Sequence, residues 1–176
     1  MRWLVDGYNV VRRAPDLASA ERVSLEMGRA ALCRALAAAA ANSGDEFTVV
    51  WDGARGGGVA SGGPGVRVVF SSARERADDV LVRMARQGGA VVTNDRAVRQ
   101  AAVRAGAIAV TTDEFLVQLE SALERGAPDD DSMPMKDEDD EAPAPPRKGN
   151  PRRLGKKARR AARVLRRLGP GSGQPR

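Results

Sequence analysis

With 176 residues, 29 Lys/Arg against 23 Asp/Glu and no histidine, the chain has room for one domain with extensions and too little for two ordinary ones. The missing histidine excludes Ser–His triads, imidazole acid–base chemistry and the usual zinc sites. The single cysteine, Cys33, excludes an intramolecular disulfide, no apolar run approaches the ~18 residues that span a membrane, and the N-terminus shows no signal-peptide pattern, so a cytoplasmic protein is expected.

Trp3 to Asp6 reads as a short apolar strand ending at Asp6-Gly7. Ala18 to Ala41 reads as one long helix of good helix formers, with Cys33 inside it as a buried structural thiol. Phe47 to Trp51 is a second strand, ending at Asp52-Gly53. Gly53 to Gly65 reads as a flexible loop, and it lacks the G-x-x-x-x-G-K-[ST] order of a phosphate-binding loop. Val66 to Phe70 is a third strand, and Asp78 to Gln87 a helix closed by Gly88-Gly89. Ala90 to Thr93 is a strand ending at Asn94-Asp95, followed by a helix over Arg96 to Ala105. Ala107 to Thr111 is a last short strand and Asp113 to Arg125 the last helix of the body. Short, wholly apolar strands alternating with helices predict an α/β domain in three layers, with a central parallel sheet of about five strands covered on both faces.

The charge divides into three blocks. Residues 1–128 are nearly neutral, with 16 basic and 15 acidic side chains. Residues 129–146 carry a net −7 and are rich in proline, which predicts a disordered acidic linker. Residues 147–176 carry 12 basic side chains and no acid. Within them, Arg147 to Arg167 reads as a basic amphipathic helix. Leu154, Ala158, Ala161, Leu165 and Leu168 form its apolar stripe, and Lys156, Lys157, Arg159, Arg160 and Arg163 flank it. Binding of RNA or the ribosome through phosphates is the leading reading of this tail. Membrane attachment is disfavoured because the stripe is narrow and holds small alanines.

Three strands end alike, at Asp6, Asp52 and Asp95, and ligands of open α/β sheets bind at that strand edge. A fourth carboxylate opens the helix after the third strand. Asp78 aligns with Leu81 and Ala85 on the sheet-facing stripe, whereas Asp79 aligns with Val82, Arg83 and Arg86; either can face the cluster, with Asp78 preferred. Carboxylates gathered this closely repel, and a hard divalent cation, Mg²⁺ or Mn²⁺, resolves the repulsion. Asp6 and Asp95 are the expected direct ligands, with Asp52 and Asp78 completing the site. Asn9 is expected to orient a water or a neighbouring carboxylate, with Thr93 and Asn94 in similar roles. Arg55, Arg74 and Arg76 lie near enough in sequence to contact substrate phosphates.

Taken in order, Asp6-Gly7-Tyr8-Asn9, Trp51-Asp52-Gly53, Ala77-Asp78-Asp79 and Thr93-Asn94-Asp95 resemble the YacP-like NYN domain family over roughly residues 2–125. That family is similar to PIN nucleases, which implies a Rossmann-like sheet and an acidic metal site at Asp6, Asp52, Asp78 and Asp95, with Asn9 as the characteristic asparagine. The resemblance implies an endoribonuclease; one branch of the family is implicated in cutting mRNA on the ribosome. The competing expectation is a non-catalytic RNA-binding or adaptor module on the same fold. A nucleotide enzyme or haloacid-type phosphatase fits less well, because the first strand has neither G-x-G-x-x-G nor Asp-x-Asp.

Overall fold

The computed structural model describes residues 1–53, 58–126 and 156–166. Arg55, the acidic block 129–146, the rest of the tail and the side chains of Lys156 and Lys157 lie outside the described residues. Six strands form one sheet: β1 Arg2–Asp6, β2 Glu46–Trp51, β3 Gly58–Gly63, β4 Val66–Phe70, β5 Ala90–Val92 and β6 Ile108–Val110. Their order is β3-β4-β2-β1-β5-β6, and all neighbours are parallel except β3 and β4.

The strands alternate their side chains between the two faces, and each face has its own core. Trp3, Val5, Phe47, Val49, Trp51, Val92 and Val110 point to one side. There they meet three helices: α1 (Gly7–Arg13), α3 (Leu25–Ser43) and α6 (Thr112–Gly126). Leu4, Val50 and Val91 point to the other, against α4 (Ala77–Ala85) and α5 (Arg96–Arg104). Every residue of β5 is fully buried, as expected of a parallel strand covered on both faces. Trp3 donates its indole N–H to Asp45 at 2.8 Å, which satisfies the one polar atom of the ring.

Two local expectations need correction, and one helix was not expected. The long helix of residues 18–41 is two, α2 (Pro15–Val23) and α3, broken at Ser24, whose backbone is extended at φ −161°. Ser24 caps α3 by accepting the Met27 amide at 3.0 Å, and an extended residue with a free hydroxyl is a better helix start than a helix interior. Residues 7–13, for which no element was expected, form α1. Part of the glycine loop, residues 58–63, is an antiparallel edge strand that turns through Pro64-Gly65 into β4. Glycine is a poor strand former, but here it allows close approach: a Cβ on Gly62 would lie 2.7 Å from Val66 and 3.0 Å from the Cys33 sulfur. Cys33 is buried at that contact, and burial raises its thiol pKa, which keeps it unreactive.

The basic tail contributes α7 (Lys156–Leu165), which packs on β6 and α6. Ala161, Val164 and Leu165 are buried in the larger core. Ala158, expected in the apolar stripe, is exposed, and Val164 takes its place because it adjoins Ala161 at i+3. Burial of the Val164 and Leu165 side chains contributes about 1.5–3 kcal/mol each. Leu165→Asp should therefore release this helix: trypsin should cleave after Arg159 and Arg163 under conditions in which the parent chain resists, while the thermal transition of the body remains. Equal resistance in both proteins would contradict the packing.

Candidate active site

The parallel register sets the site. Asp6 is the last residue of β1 and pairs with Val50, so Asp52 lies two residues further along on the adjacent strand. Val5 pairs with Val92 on the other side, which places Thr93, Asn94 and Asp95 just past the end of β5. Asp78, in the first turn of α4, reaches the same rim from one covering layer. Asp6, Asp52, Asp78 and Asp95 together line a cleft of about 550 Å³. Asp79 is exposed and instead accepts the Arg76 amide at 3.4 Å, as a helix-start carboxylate.

Backbone and hydroxyl donors hold Asp6, Asp95 and Asp52 in place. Asp6 caps α1: one oxygen accepts the Asn9 amide at 3.2 Å, and the other accepts the Thr93 hydroxyl at 2.9 Å. Asp95 caps α5 by accepting the amides of Ala97 and Val98 at 2.7 and 2.9 Å. Thr93, fully buried, joins the two, because its oxygen also accepts the Asp95 amide at 3.1 Å. Asp52 accepts the buried Ser71 hydroxyl at 2.9 Å, and that hydroxyl takes the Gly53 amide at 3.0 Å. Ser71 was not anticipated; its position at the end of β4, beside β2, was the available signal.

Asn9 lines the cleft, but its carbonyl oxygen is engaged elsewhere. It accepts the Asn94 amide at 3.1 Å and the Thr112 hydroxyl at 2.7 Å. Asn94 in turn accepts the Thr112 amide and donates to Asp113, at 3.0 Å in each case. These bonds tie the ends of β1 and β5 to the start of α6. Asn9 thereby fixes the spacing of Asp6 from Asp95 and has only its amide NH₂ to offer the cleft.

The rim is basic. Arg12, Arg13 and Arg76 line the cleft, and Arg13 pairs with Asp113 at 2.5 Å. Arg12 lies over the Tyr8 ring at 5.0 Å, and Arg29 lies over Tyr8, Trp51 and Phe70 at 5.3–5.6 Å and hydrogen-bonds the Tyr8 hydroxyl. Arg74, expected near phosphates, is exposed and does not line the cleft. Arg12 and Arg13 escaped the sequence reading because they fall on one edge of the site only once residues 7–13 are a helix.

Burial pushes the Asp6 pKa above its ordinary value, opposed by its bonds from Thr93 and Asn9, with Asp78 and Asp95 adding repulsion. Asp78 is also raised, first by burial and then by Asp95, against the relief given by Arg76. Among the described residues no three acid or cysteine side chains stand close enough to enclose an ion directly. The donors are all oxygen, they repel one another and they face an open cleft. That set fits a hard cation that keeps part of its water shell, held by one or two carboxylates directly and by the others through water.

A mostly parallel α/β sheet with aspartates gathered at its C-terminal rim is a nuclease-type, PIN-like fold. The chain belongs to the YacP-like NYN domain family, whose model matches residues 3–145 and so runs past α6 into the acidic block. It is similar to Rae1 (YacP) from Bacillus subtilis in two crystal structures. One, a point mutant, shows 27% identity and a TM-score of 0.60 over 71% of this chain and 77% of that one. The other shows 25% identity and a TM-score of 0.58 over 71% and 76%. A comparison with curated proteins found no match. No described helix is long and apolar enough to cross a membrane.

Two outcomes follow from this geometry. A Cβ on Gly7 would lie 2.5 Å from the Trp51 ring, which is itself buried against Tyr8 at 4.9 Å. Gly7→Ala should cost about 1–3 kcal/mol in urea unfolding and displace Asp6 with the start of α1; a neutral result would show that the ring moves freely. Asp6 and Asp78 bind protons more readily folded than unfolded. Their contribution favours folding below the unfolded value of 3.8 and is lost as pH rises through the raised folded values. In EDTA, Asp78→Asn should raise Tm at neutral pH, with the gain vanishing in strong acid. A Tm lowered at neutral pH would refute the repulsion.

Proposed function

We propose that the chain is a metal-dependent endoribonuclease that uses Mg²⁺ or Mn²⁺ to hydrolyse phosphodiester bonds in RNA. One observation carries this reading: four aspartates from separate elements meet in a single cleft whose rim is arginine. Family membership and the likeness to Rae1 support it. Asp6 and Asp95 are assigned to hold the ion directly, with Asp52 and Asp78 acting through water. When bound, such an ion offsets charge developing on the phosphoryl oxygens and makes water a better nucleophile.

The chain's own residues do the positioning. Arg12 and Arg76 take phosphate oxygens at opposite margins of the cleft, so the strand lies across the acids and not above them. Asp52 and Asp78 orient the water that attacks phosphorus. Its oxygen forms the new P–O bond and gives up a proton to solvent water, the bond to the leaving ribose oxygen breaks, and that oxygen takes a proton from water. Thr93 and Asn9 keep Asp6 and Asp95 at fixed spacing while this happens. Ribosome-bound mRNA is the natural first substrate to compare with free RNA.

A non-catalytic RNA-binding module is the second reading, favoured by the lack of a closed three-ligand group among the described residues. Cleavage of single-stranded RNA with Mn²⁺, Mg²⁺ and EDTA separates the two. Asp95→Asn keeps a good helix cap, so it removes charge without removing the start of α5. Asp6→Asn and Asp95→Asn should each lower cleavage at least ~100-fold with RNA affinity retained. Cleavage that survives EDTA, or both substitutions, would overturn the assignment.

A further inference from the structure

A second cleft, of about 310 Å³, lies away from the acids, where α5, β6 and α7 meet. Arg96, Arg99 and Arg160 line it, and Val103, Ile108 and Ala109 give it an apolar floor. No acidic side chain lines it. Among the described residues none of these three arginines has an ion-pair partner. Arg99 is half-buried and its Nε is buried without a hydrogen-bond partner. A buried guanidinium N–H left unpaired is costly, and an acceptor bound in the cleft would relieve it. Arg160 is brought there only because Ala161, Val164 and Leu165 seat α7 in the core.

We infer that this cleft holds the phosphate backbone of a single RNA strand, as an anchor separate from the acidic site. The inference rests on the ribonuclease reading for the identity of its ligand. Arg96, which lines this cleft, immediately follows Asp95, which lines the acidic one. A strand that leaves the acids past Asp95 would have Arg96, Arg99 and Arg160 within one basic cleft to hold it. Guanidinium groups bind phosphate oxygens in pairs, and the apolar floor accepts the face of a ribose or base. The tail thus acts as one wall of a built site, in contrast to a loose polycation.

The test is the binding of a labelled single-stranded RNA oligonucleotide to the full chain in EDTA, followed by anisotropy across a KCl series. Each phosphate contact on a single strand contributes about 0.7 to the salt slope. Arg99→Ala and Arg160→Ala should each weaken binding about fivefold near 0.1 M salt and flatten the slope by about that amount. Arg99→Lys, which keeps the charge, should restore most of the slope. Arg163→Ala, on the same helix but outside the cleft, should have the smaller effect. Unchanged or tighter binding in the first two variants, or an equal loss with Arg163→Ala, overturns the inference. Circular dichroism confirms that the variants are folded. Cleavage plays no part in this readout: a chain that binds through the cleft and cuts nothing keeps the inference and loses the ribonuclease reading. An active chain whose binding ignores both substitutions does the reverse.

Discussion

Repulsion among carboxylates is the constraint to which the rest of this molecule answers. Asp6, Asp52, Asp78 and Asp95 come from four elements, and nothing in a chain of their own kind would keep them together. The fold does so by giving three of the acids a donor that is part of the architecture, while Asp78 has the charge of Arg76 nearby. Asp6 and Asp95 sit at helix starts, where unpaired amides favour negative charge. Asp52 is held by Ser71 of the neighbouring strand end, and Thr93 links the two capping acids. The sheet order β2-β1-β5 makes three of these positions adjacent, so the cluster is a consequence of register as much as of side-chain choice.

Holding the acids costs stability, and the compensation is spread through both cores. Trp3 and Trp51 anchor β1 and β2 at opposite ends of the larger one, and Leu4 and Val50 pin the same strands to α4 and α5 from the other face. Gly7 lets the chain pass over the Trp51 ring, which fixes the direction in which α1 leaves the sheet. The Asn9–Asn94–Thr112 bonds then carry the start of α6 to the same rim. Rigidity at the site is therefore assembled from groups that do not themselves face a substrate.

Much of this was legible in the sequence because it is written in local patterns. Five apolar strands, the helices between them and the matched Asp-Gly and Asn-Asp endings specify the parallel sheet and its acidic rim. Helical periodicity prefers Asp78 over Asp79 without excluding either, and the structure places the first in the cleft and the second in solvent. What stayed hidden depends on partners distant in sequence. Residues 58–63 are a strand only because β4 offers an edge, and glycine gives no propensity signal for it. Asp6-Gly7-Tyr8-Asn9 looks like a turn until Trp51 is placed above it. Helical periodicity runs on through Ser24, so only its cap geometry reveals the break. The tail reads as a basic amphipathic helix that binds RNA or the ribosome, and its charge draws attention away from the edge of Ala161, Val164 and Leu165 that packs into the body of the protein.

The position of α7 has one more consequence. β6 is the outermost strand on its side of the sheet, is only three residues long, and is flanked by α5 and α7. A short, screened margin gives a second molecule little backbone to pair with. The segment that brings positive charge to the sheet also covers this margin, so a chain shortened before Lys156 would bare both a strand and the greasy seat of the missing helix. Loss of solubility, well before any loss of chemistry, would be its first symptom.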